Sequence, residues 1–328
     1  MPIYIQEHKS SGEDITPGGD YWPRLTLDPQ ISMYIEGAEA LGLQVDGVEY
    51  DVLRKPGLRP LKATPVESRQ YTKPSKKEPI PRLYASQRDR DETPEEYGAR
   101  CLAAIAEDPD KYYQRRIIVR LHQDRIDAQA DVWNTALGIR NARHLNVWPR
   151  NPDSCKQWGR TCDYFSVCTG LASINDPLLF KKEERAHEEL DSDAPKDKEA
   201  LILLTQSSLR TMRACPRRYY LRYELRIRSL APKSASLKKG TSLHKALETW
   251  NKTDGDIDAS IASLDRTDEF AFQHERAMVI GYHVRWEKPY GVRYVEKEFR
   301  LPLMNPESGS RSRTFELGGR LDAVREEA

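Results

Sequence analysis

Apolar and polar positions divide the chain into short segments of two periods. Residues 3–8 (IYIQEH) alternate, Tyr4 and Gln6 against Ile3, Ile5 and Glu7, and predict a short strand. Residues 28–41 open with Asp28 as N-cap and Pro29 at the first helical position, then carry helical apolar spacing up to Gly42, a C-cap residue. Residues 44–54 predict a strand. Residues 55–92 are rich in proline and lysine without a period and predict an extended loop. Thr93, Pro94 and Glu96 form a capping-box pattern before helical spacing to 107. A strand at 115–121, a helix at 123–143 and a cysteine-bearing loop at 149–169 follow. Residues 181–200 hold 13 charges in 20 positions, which marks a solvated linker and the main boundary. Beyond it the spacing predicts helices at 205–224, 236–251 and 268–287, then strands at 292–301 and 313–325. The order is mixed α and β, with no fixed-period repeat.

Composition narrows the class. The 328 residues are 38% hydrophobic and 31% charged, and the mean hydropathy of −0.75 describes a water-facing surface. No apolar run reaches the ~18 residues a membrane-spanning helix needs. The opening MPIYIQEHKS has no apolar core after a basic start, so no secretory signal is expected and a cytoplasmic location is. Lys plus Arg number 52 against 51 acids, a net charge of +1, which excludes a globally basic nucleic-acid coat. Locally, residues 205–230 hold seven arginines against Glu224, interleaved with Tyr219, Tyr220 and Tyr223. Arginine for phosphates and tyrosine for bases suits a single-stranded DNA track, with Arg213, Arg217, Arg218 and Arg222 as candidate contacts. A solvated basic helix face is the competing reading.

Candidate chemistry begins at Glu7 and Lys9, which share one face of a strand because side chains alternate with period two. A carboxylate that holds a divalent metal, beside an ammonium that orients water and offsets developing charge, suits phosphodiester hydrolysis. Taken alone, such a pair is usually a solvated one. Asp322, just past Gly318-Gly319, offers a second carboxylate. His244 with Glu248, and Gln30 with Tyr34, stand at helical i, i+4 spacing. His8 falls on the opposite strand face and is left out of the metal set. Five cysteines without a secretion signal point to thiols or metal ligands rather than disulfides. Cys155, Cys162 and Cys168 lie within one loop, a metal-binding pattern, whereas Cys101 sits in an apolar helical stretch and reads as core.

Together these residues carry a resemblance to the PD-(D/E)XK nuclease superfamily, in its RecB-like exonuclease branch with an iron–sulfur cluster. The matching pieces are Cys215-Pro216-Arg217, Gly240-Thr241-Ser242-Leu243-His244, Gly319-Arg320-Leu321-Asp322, Glu7-His8-Lys9, Gln30-Ile31-Ser32-Met33-Tyr34, and Cys155, Cys162 and Cys168. They stand in permuted order, the family's later half first. The resemblance implies a restriction-endonuclease-like α/β core, a mixed central sheet flanked by helices, assembled from both ends of the chain. Residues 1–169 would supply the later half, 170–204 a charged linker, and 205–328 the earlier half. It implies an enzyme, a Mg²⁺- or Mn²⁺-dependent DNA exonuclease of recombination, repair or phage DNA processing in a bacterial or phage-infected cell. Asp322, Glu7 and His244 would bind the metal, Lys9 would position water, and Gln30 and Tyr34 would orient the lysine or the DNA strand. Cys215 would join the three loop cysteines around a 4Fe–4S cluster, with zinc as the alternative for four thiolates. The partners implied are DNA single strands or duplex ends and a helicase or recombination protein, since the chain has no phosphate loop of its own for ATP. Two alternatives stay open: incomplete tandem copies in place of one permuted domain, and a non-catalytic DNA-binding or assembly protein.

Overall fold

The computed structural model describes residues 1–74, 80–157, 159–187, 190, 201–232, 234–287 and 289–327. The first half runs β1 (Ile3–Ser11), α1 (Pro29–Ala40), β2 (Gly47–Arg54), α2 (Pro94–Glu107), α3 (Pro109–Tyr112), β3 (Tyr113–Ile118) and α4 (His122–Leu145). The cysteine region follows as β4 (Lys156–Gln157), β5 (Arg160–Thr161), α5 (Phe165–Cys168) and β6 (Phe180–Lys182). The second half runs β7 (Ile202–Leu204), α6 (Gln206–Ala214), α7 (Pro216–Tyr219), β8 (Ile227–Ser229), α8 (Ala235–Lys252), α9 (Ile257–Ala262), α10 (Glu269–Trp286), β9 (Val292–Met304) and β10 (Arg311–Glu326).

Local chemistry accounts for the helix starts. The Asp28 side chain accepts from the Gln30 amide at 2.9 Å, ahead of Pro29. Thr93 and Glu96 close the reciprocal capping box expected of them. Gly42 follows α1 at φ +81°, a conformation that glycine adopts without a Cβ penalty. The expected helix over 205–224 is interrupted at Cys215, which is extended at φ −162°, ψ 109°. Pro216 explains the break: its ring disfavours helical geometry in the residue before it, and it has no amide to continue the ladder. The chain then resumes as α7 and a π-type turn over Tyr220–Glu224.

The central sheet is mixed, in the order β3-β2-β1-β10-β7, with β9 also on β10. Strand β1 is parallel to β2 and antiparallel to β10. Because β9 pairs with β10 along most of its length, β7 and β1 share the other side of β10, one near its start and one near its end. The two ends of the chain thus lie side by side: Ile3 pairs with Glu326, and the Glu327 amide donates to the Pro2 carbonyl at 3.0 Å. Helices pack around the sheet through two apolar clusters. One gathers Ile5, Ile31, Ile35, Val48, Phe299 and Leu317. The other gathers Leu53, Cys101, Ile105, Leu247, Trp250 and Tyr282, so Cys101 is the core residue its surroundings suggested. Gly319 and Gly37 let the Phe299 ring into this packing, since a Cβ would meet the ring at 2.8 Å from Gly319 and 2.5 Å from Gly37.

Of the charged stretch, residues 188, 189 and 191–200 lie outside the described residues, as do 75–79 of the 55–92 loop. On either side of it, Phe180–Lys182 pairs with β8 and Ile202–Leu204 pairs with β10, so secondary structure reaches into the segment read as linker from both sides. No helix of the described residues is long and apolar enough to cross a membrane.

Candidate active site

Strand register brings the candidate residues together. The last β1–β10 pair is Gln6 with Ala323, so the next step sets Glu7 opposite Asp322. Opposed residues of an antiparallel pair stand about 4.5–5.5 Å apart at Cα and project to one face. The His8 amide donates to Asp322 Oδ2 at 2.9 Å. Helix α8 adds His244, whose Nδ1 lies 3.7 Å from the same Oδ2. Lys9 follows Glu7 on the same strand face and pairs with its Oε1. Gln30 on α1 donates to Glu7 Oε1 at 3.1 Å and to the Tyr34 hydroxyl at 2.7 Å, and its carbonyl oxygen lies 3.4 Å from Lys9 Nζ. Two polar groups thus face one another, Glu7, Lys9, Gln30 and Tyr34 on one side and His244 with Asp322 on the other, and the His8 main chain joins them.

Electrostatics follow from burial. Asp322 is 9% exposed; burial and the facing Glu7 carboxylate both raise its carboxyl well above the usual range. Burial works against the charge of Lys9, but Glu7 and Asp322 outweigh it and hold the ammonium above its ordinary value. Its hydrogen bond to Glu296, then Asp322, push His244 up to about 9 against the opposing effect of burial. Burial places the Tyr34 hydroxyl far above its ordinary value, so it serves as a neutral hydrogen-bonding group. Glu7 Oε2 is buried and has no hydrogen-bond partner among the described residues. The network opens into a cleft of about 1260 Å³, lined among others by Lys9, Gln30, His244, Asp322, Arg24, Arg210 and Arg213.

Glu296 on β9 escaped the sequence reading. Its Oε1 lies 3.1 Å from His244 Nε2, and Arg320 donates to its Oε2 at 3.2 Å. Among the described residues, His244, Glu296 and Asp322 form the one group of three or more potential metal ligands whose donor atoms lie within 4.8 Å of one another. Glu7 stands outside that group, on the opposite flank of Asp322. Nothing local distinguishes Glu296 in Val295-Glu296-Lys297-Glu298, an ordinary alternation of charges. Only the register against β10 reveals it.

On the reverse strand face, His8 packs away from the cleft, as its position predicted. Its Nδ1 lies 3.5 Å from Asp51 and its Nε2 3.0 Å from Asn251. Arg115 and the Tyr282 hydroxyl complete the hydrogen bonding of Asp51 Oδ2, which anchors β1 to β2, β3 and α10.

The basic segment behaves differently from its sequence reading. Arg210 and Arg213 line the cleft. Arg217 stacks over Tyr220 and Arg222 over Tyr223. The Arg217 amide donates to Pro149 O at 2.9 Å, which ties this turn to the cysteine loop. The kink at Cys215–Pro216 prevents the arginines from forming one helical stripe. Tyr219 and Tyr223 are 2% and 8% exposed, and Trp148 stacks on Tyr219, so these rings belong to the core and are closed to bases.

All five cysteines are free thiols. The loop bearing Cys155, Cys162 and Cys168 docks on the end of α6: Asn151 Nδ2 and Ser154 Oγ both donate to Ala214 O, at 2.8 and 2.7 Å. That brings the loop against Cys215. Burial raises the Cys168 thiol, and the neighbouring Cys162, Cys215 and Cys155 add to the effect.

Residues 203–328 match the family model of the PD-(D/E)XK nuclease superfamily. Over that stretch, well under half of the chain, the protein is similar to this superfamily, whose members are nucleases that typically use divalent metals such as Mg²⁺ or Mn²⁺. The mixed sheet flanked by helices agrees with a restriction-endonuclease-like fold. Neither curated proteins nor solved structures yielded a match to the chain.

Proposed function

We propose that this protein is a divalent-cation-dependent DNA exonuclease of the RecB-like kind, with one active site completed by residues from both ends of a permuted chain. The observation that carries the reading is the pairing of β1 with β10, which sets Glu7 and Lys9 beside Asp322 under His244. The donor set fits a divalent cation: carboxylates are the ligands that Mg²⁺ and Mn²⁺ favour, with His244 a softer nitrogen donor beside them, and the buried Glu7 Oε2, without a hydrogen-bond partner among the described residues, belongs to the same row. Asp322, Glu7 and His244 would hold the ion, whose binding would displace the proton that Glu296 and Asp322 otherwise favour on the His244 ring. Such an ion supplies Lewis-acid stabilisation of the phosphate and a lowered pKa for bound water. The charged Lys9 would hold the attacking water and offset charge on the phosphorane-like transition state. Gln30 would fix Lys9 and Glu7 in register, with Tyr34 bracing the amide.

The substrate would enter the cleft past Arg210 and Arg213, as single strands or duplex ends, in recombination, repair or phage DNA processing in the cytoplasm of a bacterial or phage-infected cell. A helicase would be the matching partner. Cys155, Cys162, Cys168 and Cys215 would carry a 4Fe–4S cluster that staples the loop to α6. Zinc, which also accepts four thiolates, is the alternative occupant. The test is cleavage of end-labelled linear and covalently closed circular single-stranded DNA, with Mg²⁺, with Mn²⁺ and with EDTA. Metal-dependent loss of the linear DNA alone supports the reading; cutting of circles would make the enzyme an endonuclease, and no cutting of either would remove the catalytic role.

A further inference from the structure

The β9–β10 register reaches past the motif residues. Leu321 pairs with Lys297 and Ala323 with Val295, so Asp322 faces Glu296 across β9 just as it faces Glu7 across β1. Three carboxylates thus form a row over three adjacent strands, with His244 above the Glu296 end. Glu296 is held there on two sides, by His244 Nε2 and by Arg320.

We propose that Glu296 is a cation ligand, completing with Asp322 and His244 a divalent-metal position on the β9 side of the site. Two oxygen donors and one imidazole nitrogen, all within 4.8 Å of one another, can converge on a single ion at ordinary bond lengths of about 2.0–2.6 Å. A row of acids alone would mark no site. Here the row includes an imidazole, and at its other end stands a carboxylate oxygen of Glu7, a residue 2% exposed, with no hydrogen-bond partner among the described residues, an acceptor that a cation would satisfy. The alternative role for Glu296 is a strut that merely orients His244. The two roles separate chemically. A glutamine at 296 still accepts the His244 hydrogen bond but carries no charge and is a poor ligand for a hard cation.

The inference rests on the cation site proposed above, and the experiment keeps the two apart. MnCl₂ is titrated calorimetrically into the full chain without DNA, for wild type, Glu296→Gln, Glu296→Asp and Asp322→Asn, with thermal melting of each variant as a check on folding. Expected is a loss of Mn²⁺ affinity of about tenfold or more in Glu296→Gln, a smaller loss in Glu296→Asp and no measurable binding in Asp322→Asn. Affinity within about threefold of wild type in folded Glu296→Gln makes the residue a strut and overturns the inference alone. Should Glu296→Gln fail to fold, undiminished affinity in Glu296→Asp does the same. Absence of Mn²⁺ binding by the wild type overturns both the inference and the cation site on which it rests.

Discussion

The amide of His8 donates to the Asp322 carboxylate at 2.9 Å across 314 residues of sequence. That bond joins the two ends of the chain at the place where the proposed site needs its carboxylates together. The alternating faces of β1 divide the labour: Glu7 and Lys9 face the cleft, while the His8 ring is locked to Asp51 and Asn251 behind the sheet.

Arg210 and Arg213 line the cleft, whereas Arg217 and Arg222 are engaged with tyrosines beside the cysteine loop. Replacing Arg210 and Arg213 with alanine should weaken binding to all single-stranded sequences. It should also reduce the slope of log K against log salt by about 1.4, roughly 0.7 for each phosphate no longer neutralised. Replacing Arg217 and Arg222 should change the slope less. Fluorescence anisotropy over a salt series measures both, and equal slopes in the two double variants would place the DNA path elsewhere.

Lys9 is held charged by Glu7 and Asp322, and its side chain is bonded to Glu7 and Gln30 on the β1 flank of the carboxylate row. Lys9→Gln should therefore lower kcat by about 10²-fold or more, in line with the loss of a positioned electrostatic donor, while Mn²⁺ affinity changes little. Single-turnover cleavage paired with Mn²⁺ titration separates the two quantities. A variant that loses metal binding in proportion to rate would give Lys9 a structural role instead.

Glu275 on α10 carries a stability signature. It is 2% exposed, and burial pushes its carboxyl up to about 7 from 4.5, against the Ser242 hydroxyl that donates to it. A raised carboxyl stabilises the fold fully below the unfolded value, and that contribution is lost as pH rises through 7. Glu275→Gln should match wild type in stability at pH 4.5 and be the more stable at pH 8, by about 1–3 kcal/mol at ~1.4 kcal/mol per pKa unit. Melting curves across that range test it; a constant offset between the two proteins would mean the carboxyl titrates normally.

Anaerobically purified protein should be brown and contain about four iron atoms per chain, the stoichiometry of a 4Fe–4S cluster. Cys162→Ala should bleach it and lower solubility, because the loop at 149–169 would lose its covalent staple to Cys215. Colourless protein with stoichiometric zinc would replace the iron assignment while keeping the metal.

Much of this site is legible in the sequence because its parts are local. Asp28-Pro29 and Thr93-Pro94-x-Glu96 announce helices through caps a few residues long, and Gln30 with Tyr34 needs only one helical turn to share a face. Glu7-x-Lys9 needs only the strand period. What fails to show is whatever depends on a neighbouring strand or on a proline's reach. Glu296 is one charge among several until β9 is set against β10. The arginines of 205–224 look like one stripe until Pro216 forces Cys215 out of the helix. Tyr219 and Tyr223, plausible partners for bases by composition, are drawn into the core by Trp148, His187 and each other.

The most direct test of a single site built from both chain ends is cleavage of linear DNA with Mg²⁺ by the wild type, Glu7→Gln and Asp322→Asn, with melting curves for all three. Each substitution should abolish metal-dependent cleavage, by about 10³-fold or more, and leave the fold intact or firmer, because each relieves one of two facing, buried carboxylates. Wild-type cleavage that survives either substitution in a folded protein would contradict the account, for a site that dispenses with Glu7 or with Asp322 is not the one that the β1–β10 pair builds.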